Sequence, residues 1–395
     1  MRKLLVITLI IAYVYTLTCD IFMSDIFRLP APVILGAPLL CFFYMPGQRF
    51  LYGKELLVLI ATIALYYIVG QGDVKGFVLC SVTALICGLY FAFFVGTNQL
   101  RFAVSVIVFA IVLLLSMLLL LADHYFQGTA DAWRSILLDD VVKQSPSGLA
   151  LTQFTFGYQL AAFTTLVAAF AITYRVNILY KLLIIAGCLV CIYFGMNRSA
   201  LLSFGIAIGT LVLVFYKYKA IPVILIIVVG GFLFYNYALL PNSSIDDKNN
   251  ILAKNQAKEA NDFNRLDLSA ENLAIYADYP LGLVFYGKRW EDVTYRNPVF
   301  PDGLSSHNAY LMFLTCLGPV LGFGLLGFIY ARPAKIAIDL VGNIHTKHAV
   351  VLAPLVFALF AVSFNALSHN AWLLSGNGPT LFLYFAVLQG ARIYI

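Results

Sequence analysis

Uninterrupted apolar stretches of membrane-crossing length recur from Leu4 to Tyr394. A helix needs about 20 such residues to cross the hydrocarbon core, where every backbone polar group must find its partner within the protein. Of 395 residues, 62% are hydrophobic and 11% charged. A soluble domain carries roughly 25% charged residues, and no water-facing fold of this length could hide so much apolar surface. The chain therefore reads as one all-α polytopic membrane protein. Candidate spans lie at 3–19, 30–46, 56–70, 76–96, 102–122, 154–173, 179–196, 199–216, 220–240, 308–331, 348–367 and 372–391, about twelve helices. They divide the chain into nine spans at 1–240, a large loop at 241–307 and three spans at 308–395.

The formal net charge is +6, but the basic residues are scattered one to three per loop, which speaks against a nucleic-acid surface. With the N-terminus inside and the sides alternating, the inner loops hold thirteen basic residues, from Arg2 to Arg392, against Glu55 and Asp339. The outer side receives twelve basic and seventeen acidic residues, most of its Lys and Arg in two long segments, 123–153 and 241–307. Orientation follows Lys and Arg in short loops, so both termini are expected in the cytoplasm. Arg2-Lys3 and the apolar run after it mimic a signal peptide, but no small-x-small cleavage site follows, and an uncleaved first span is expected. The seven cysteines fall within or at the edges of apolar runs and offer neither a disulfide framework nor a metal cluster. No metal site and no cofactor are expected.

Within the large outer loop, Phe263, Leu266, Ala270, Leu273, Ala274 and Ala277 recur at helical spacing. They predict an amphipathic helix over about 262–278, capped by Asn261 or Asp262, lying on the membrane-facing side and ended by Tyr279-Pro280-Leu281-Gly282. A second, shorter outer loop is expected at 123–153.

No Asp, Glu, Lys or Arg falls in the middle of a candidate span, which lowers a transporter reading, since ion-coupled carriers place ionisable groups at membrane depth. Polar interest collects at the outer face. Arg198 sits on a break of two or three residues between two spans. It fits either a snorkelling side chain on lipid headgroups or an anion site, in which a guanidinium and the free N–H groups of the next helix grip phosphate oxygens. Arg265 falls on the polar face of the loop helix near Ser269 and Asn272, and Lys288, Arg289 and Arg296 are further cations there. His307, where the loop gives way to the tenth span, is the candidate general base, because imidazole accepts a proton near neutrality. Ser305 or Ser306 is expected to cap the following helix and Asn308 to orient the ring. His369-Asn370 repeats the His-Asn pair and is the leading rival.

With these residues in place, the chain resembles the bacterial O-antigen ligase and O-antigen polymerase superfamily, polytopic glycosyltransferases of the C-type fold. The likeness rests on Arg198-Ser-Ala-Leu-Leu202, on Arg265 with its helix and Asp278-Tyr-Pro-Leu-Gly282, and on His307-Asn-Ala-Tyr-Leu311 followed by Gly318. It covers roughly 190–330 and departs from the family pattern at Ser269 and over Gly282 to Gly287. The resemblance implies transfer of a glycan from undecaprenyl diphosphate to a hydroxyl at the periplasmic face of the inner membrane. Arg198 and Arg265 would hold the diphosphate and His307 would deprotonate the acceptor, with inversion and without metal or nucleotide. Gly318, Gly322 and Gly324, with Pro319, would let the tenth helix bend or pack closely beside the cavity. The implied acceptor is the lipid A core for a ligase, or a second lipid-linked glycan for a polymerase, which would also engage a chain-length regulator. A lipid-linked sugar flippase is the reading from another class.

Overall fold

The computed structural model describes residues 2–19, 22–23, 29–143, 146–174, 177–222, 224–225, 229, 237, 265–300, 305–369 and 378–394. They are helical throughout, except for connecting turns and a two-residue antiparallel ladder pairing Phe22 with Pro30 and Met23 with Leu29. Among them, seven helices are long and apolar enough to cross a membrane, and Lys3–Cys19, Ala31–Phe42 and Ile178–Phe194 are shorter apolar helices. The chain is a multi-pass α-helical membrane protein. Most of the expected ninth span and the start of the twelfth lie outside the described residues.

Two compact units are each assembled from separate stretches of chain. The first comprises Met1–Val112, Asn264–Ile336 and Ala366–Ile395. It contains α1 (Arg2–Cys19), α2 (Ala31–Phe42), α3 (Gly53–Ala64) and α4 (Val74–Leu89), with the start of α5 (Gln99–Leu138). Helix α3 continues as a π-helix over Leu65–Gln71 and α4 over Tyr90–Val95, each stopped by a glycine at positive φ, Gly72 and Gly96. Lipid outside the bundle is as apolar as the side chains inside, so helix association here depends on close packing and on polar bonds. Rings supply the packing: Phe109 stacks on Phe382 at 4.2 Å and Tyr13 lies 4.5 Å from Tyr90.

Polar bonds join four segments of this unit. Arg332 pairs with Glu55 at 2.6 Å, Arg392 donates to Gln48 Oε1, Gln389 to Gly96 O, and Arg101 to Phe43 O and Phe94 O at 2.8 and 2.7 Å.

The second unit comprises Leu113–Phe263 and Ala337–Asn365. Its centre is α6 (Gln153–Thr173), buried almost all round and packed against α7 (Ile178–Phe194), α8 (Arg198–Tyr216) and α12 (Ala349–Asn365). A closed set of bonds ties the chain entering α6 to α5: Ser116 Oγ donates to Gln159 Oε1 at 2.6 Å, Gln159 Nε2 to Leu149 O at 2.8 Å, and Leu149 N–H to Ser116 Oγ at 2.8 Å.

Helix also occupies part of the expected outer loop at 123–153. Helix α5 runs on to Leu138 past a break at Phe126, whose φ is −139° and ψ 52°. The reason is the fully buried Arg134, which pairs with Asp123 at 2.6 Å, bonds Asp131 and donates to Ser147 Oγ at 2.8 Å. Three charges that read as loop solvation satisfy one another inside the unit.

Candidate functional site

The described part of the large outer segment belongs to the first unit and begins with α9 (Arg265–Asp278), followed by a 3-10 turn at Leu283–Tyr286 and α10 (Trp290–Thr294). Helix α9 is described from Arg265 and ends on the expected Tyr279-Pro280 turn; 262–264, with the expected caps Asn261 and Asp262 before the helix, lie outside the described residues. Arg265 is its first residue, and the Arg265 side chain lies outside the described part of the structure.

The expected apolar stripe is not the face that packs on the unit. Ala270, Leu273, Ala274 and Ala277 are exposed, whereas Leu268, Asn272 and Ile275 are buried against the unit. Asn272 sits on the packed face because it is fully bonded: its Nδ2 donates to Ser306 Oγ at 2.8 Å and approaches Met312 Sδ at 3.3 Å, while Thr315 Oγ1 donates to its Oδ1 at 2.6 Å. A buried amide in such a network specifies one docking geometry, since an unmade bond there costs about 1–3 kcal/mol.

Asn272 thereby hooks α9 to the start of α11 (Ala309–Gly342). A second clamp follows, where α11 breaks at Gly318 with φ 73° and ψ 177°. A Cβ on Gly318 would fall 1.8 Å from Leu281 O, and one on Gly282, itself at φ +96°, would fall 2.2 Å from Gly318 N. Only two glycines let these backbones touch.

His307 is half-buried between Ser306, held by Asn272, and Asn308, and takes the left-handed conformation with φ 53°. Asn308 has a different role from the one expected. Its Oδ1 accepts the Leu311 N–H at 3.0 Å, so it is the side chain that caps α11, while Ser306 is engaged with α9. His369 is buried, and its carbonyl accepts the Ala309 N–H at 3.0 Å. Both candidate histidines therefore flank one helix N-terminus; Asn370 lies outside the described residues. Arg289 is exposed before α10, its guanidinium against Gly72, where an added Cβ would lie 3.0 Å from Nη1.

Arg198 belongs to the second unit, as the first residue of α8. It is exposed, and among the described residues it makes no ion pair. The turn beneath it is rigid: Met196 has φ 49°, and the buried Asn197 accepts the Ala200 N–H at 3.0 Å and the Ser199 hydroxyl at 2.7 Å. The first unit thus brings His307, His369 and Asn308 to one locality, against which Asn272 holds α9, and the second holds Arg198 on a capped turn.

Two asparagines are more deeply buried than their sequence setting suggests. Asn272 was visible only as a polar neighbour of Arg265; its signal is its place between Leu268 and Ile275, at core spacing. Asn365 closes an apolar run in the second unit, fully buried, with neither amide atom hydrogen-bonded among the described residues. Such a group favours an added hydroxyl or water. Comparison with protein-family models finds no match, and comparison with curated proteins finds none either.

Proposed function

We propose that this chain is an inverting glycosyltransferase of the bacterial inner membrane, an O-antigen ligase that moves a glycan from undecaprenyl diphosphate to a sugar hydroxyl of the lipid A core. In this reading about twelve spans form a C-type fold, both termini are cytoplasmic and the site faces the periplasm. Nε2 or Nδ1 of His307 takes the proton of the acceptor hydroxyl as its oxygen attacks the anomeric carbon. The bond from that carbon to the diphosphate breaks, and undecaprenyl diphosphate departs with the electron pair. Arg198 and Arg265 offset the charge that grows on the leaving group, a role in which bidentate guanidinium exceeds ammonium.

The observation that carries the reading is the setting of His307. It occupies a strained left-handed position at a helix N-terminus, between a residue latched to α9 and the residue that caps α11. Strain of this kind persists where the surroundings over-determine it, and it clusters at functional sites. The short rigid turn under Arg198 supports the second half of the reading.

Purified protein reconstituted with carrier-linked glycan and lipid A core, without added metal or nucleotide, tests the proposal. Glycan joined to core, lost with Arg198→Lys, is the expected result. Transfer only onto a second carrier-linked glycan assigns the protein as a polymerase. No transfer to either acceptor, with carrier-linked glycan crossing the bilayer, replaces the enzyme reading by a flippase.

A further inference from the structure

The part of α5 beyond its break has its polarity reversed relative to a helix bathed in water. Over 127–138, Ala130, Arg134 and Leu138 face inward at helical spacing, and the inward arginine is neutralised by Asp123 and Asp131. The outward face carries Trp133, Ile136 and Leu137, exposed by 57%, 72% and 40%. These positions follow the i, i+3, i+4 pattern of a single stripe. In water such an arrangement would expose the apolar side and bury the charged one, the wrong way round on both counts.

Length and continuity say what covers the stripe. Before its break, α5 runs from Gln99 to Tyr125, about 40 Å at 1.5 Å per residue against a hydrocarbon core of roughly 30 Å. The part up to Tyr125 is already long enough to cross. Leu114, Leu115 and Leu118 of that spanning part and Tyr125 and Phe126 at the break are exposed large apolar side chains, as are Trp133, Ile136 and Leu137 after the exposed Gln127, Gly128 and Thr129, so apolar exposure recurs along the chain from the span onto the limb. Tryptophan at this junction suits the headgroup level, where an apolar ring with one N–H donor is favoured.

We propose that residues 127–138 form a limb inserted in the lipid–water interface, with Trp133, Ile136 and Leu137 in the acyl boundary and the Arg134 ion cluster anchoring its inner face. The proposal depends on the chain being a membrane protein and not on glycosyl transfer. Its consequence concerns depth. His124, at the root of the limb, lies 4.5 Å ring to ring from Phe194, the last residue of α7 before the turn that carries Arg198. Seating the limb in the interface holds that arginine at the height of lipid phosphates.

Tryptophan fluorescence tests this in vesicles. The chain has three tryptophans, so the difference between the unaltered protein and Trp133→Phe isolates the signal of Trp133 at a surface position where folding is unaffected. In phosphatidylcholine vesicles containing lipid brominated along the upper acyl chain, Trp133 should emit at short wavelength and lose most of its intensity, while aqueous iodide should leave it nearly unchanged. Quenching by iodide with no response to brominated lipid would place the limb in water and overturn the proposal. Insensitivity to both would mean that protein, such as a second copy of this chain, covers the stripe, and would overturn it equally.

Discussion

His307 holds a backbone conformation that costs a non-glycine residue of order 1 kcal/mol, with φ at 53°. Alanine is therefore a poor probe here, because it keeps the strain while removing the ring and mixes a folding effect with a chemical one. Glycine separates them. His307→Gly should insert and unfold thermally much as the unaltered protein does, since relief of strain offsets the packing that the ring supplied, yet it should fail to transfer glycan. A thermal melt in detergent beside a transfer assay checks both; retained transfer would remove His307 from the mechanism and direct attention to His369. That rivalry was legible in the repeated His-Asn pair, whereas the positive φ was not, because histidine carries no local signal for a left-handed residue. The Asn308 side chain was assigned to the ring instead of the helix end for a similar reason: three candidate caps stand close together at Ser305, Ser306 and Asn308, and the tertiary bond from Asn272 to Ser306 decides among them.

At the scale of elements, two clamps seat α9 against α11, and they fail differently. Asn272→Leu fills similar space but leaves Ser306 and Thr315 without the amide, at about 1–3 kcal/mol for each buried group left unmade. Helix α9 should then loosen, with faster amide exchange over 265–278 and reduced transfer, while the spans keep their protection. Hydrogen exchange followed by mass spectrometry distinguishes this local opening from global unfolding. The glycine clamp is backbone against backbone, so it has no side chain that can yield. Gly318→Ala should lower stability by about 1–3 kcal/mol or more, whereas Gly324→Ala, which meets nothing within 4 Å, should change little; melting midpoints of the two variants provide the comparison. The existence of α9 and its Tyr279-Pro280 end were readable from spacing and breakers. The anchor of its packed side was not, because a buried Asn272 between Leu268 and Ile275 carries no signal in an apolar pattern. The limb after Phe126 was hidden too, because Asp123, Asp131 and Arg134 look like solvated loop charges until the structure pairs them.

For the whole molecule, charge distribution alone bears on sidedness, and the structure shows which of the segments it concerns lie together. In the first unit, Glu55 meets Arg332, Gln48 meets Arg392 and Arg101 caps the Phe43 and Phe94 carbonyls at one end. The His307 region and the Gly72–Arg289 approach lie along the chain where alternation places the opposite side. Alternation from apolar runs is robust because each span reverses the chain, but it propagates any miscount, and short helices such as Ala31–Phe42 are where a miscount would enter. The Glu55–Arg332 ion pair is insensitive to that error, since it joins residues on α3 and α11 directly. Lys54 and Arg289 are both exposed, so each can be replaced by cysteine after Cys41, the exposed native cysteine, is changed to Ser. An impermeant maleimide added to intact inner-membrane vesicles of known orientation should label Lys54→Cys from the cytoplasmic face alone and Arg289→Cys from the opposite face alone. Labelling of both from one face would break the alternation and, with it, the proposed placement of Arg198 and Arg265 on the periplasmic side.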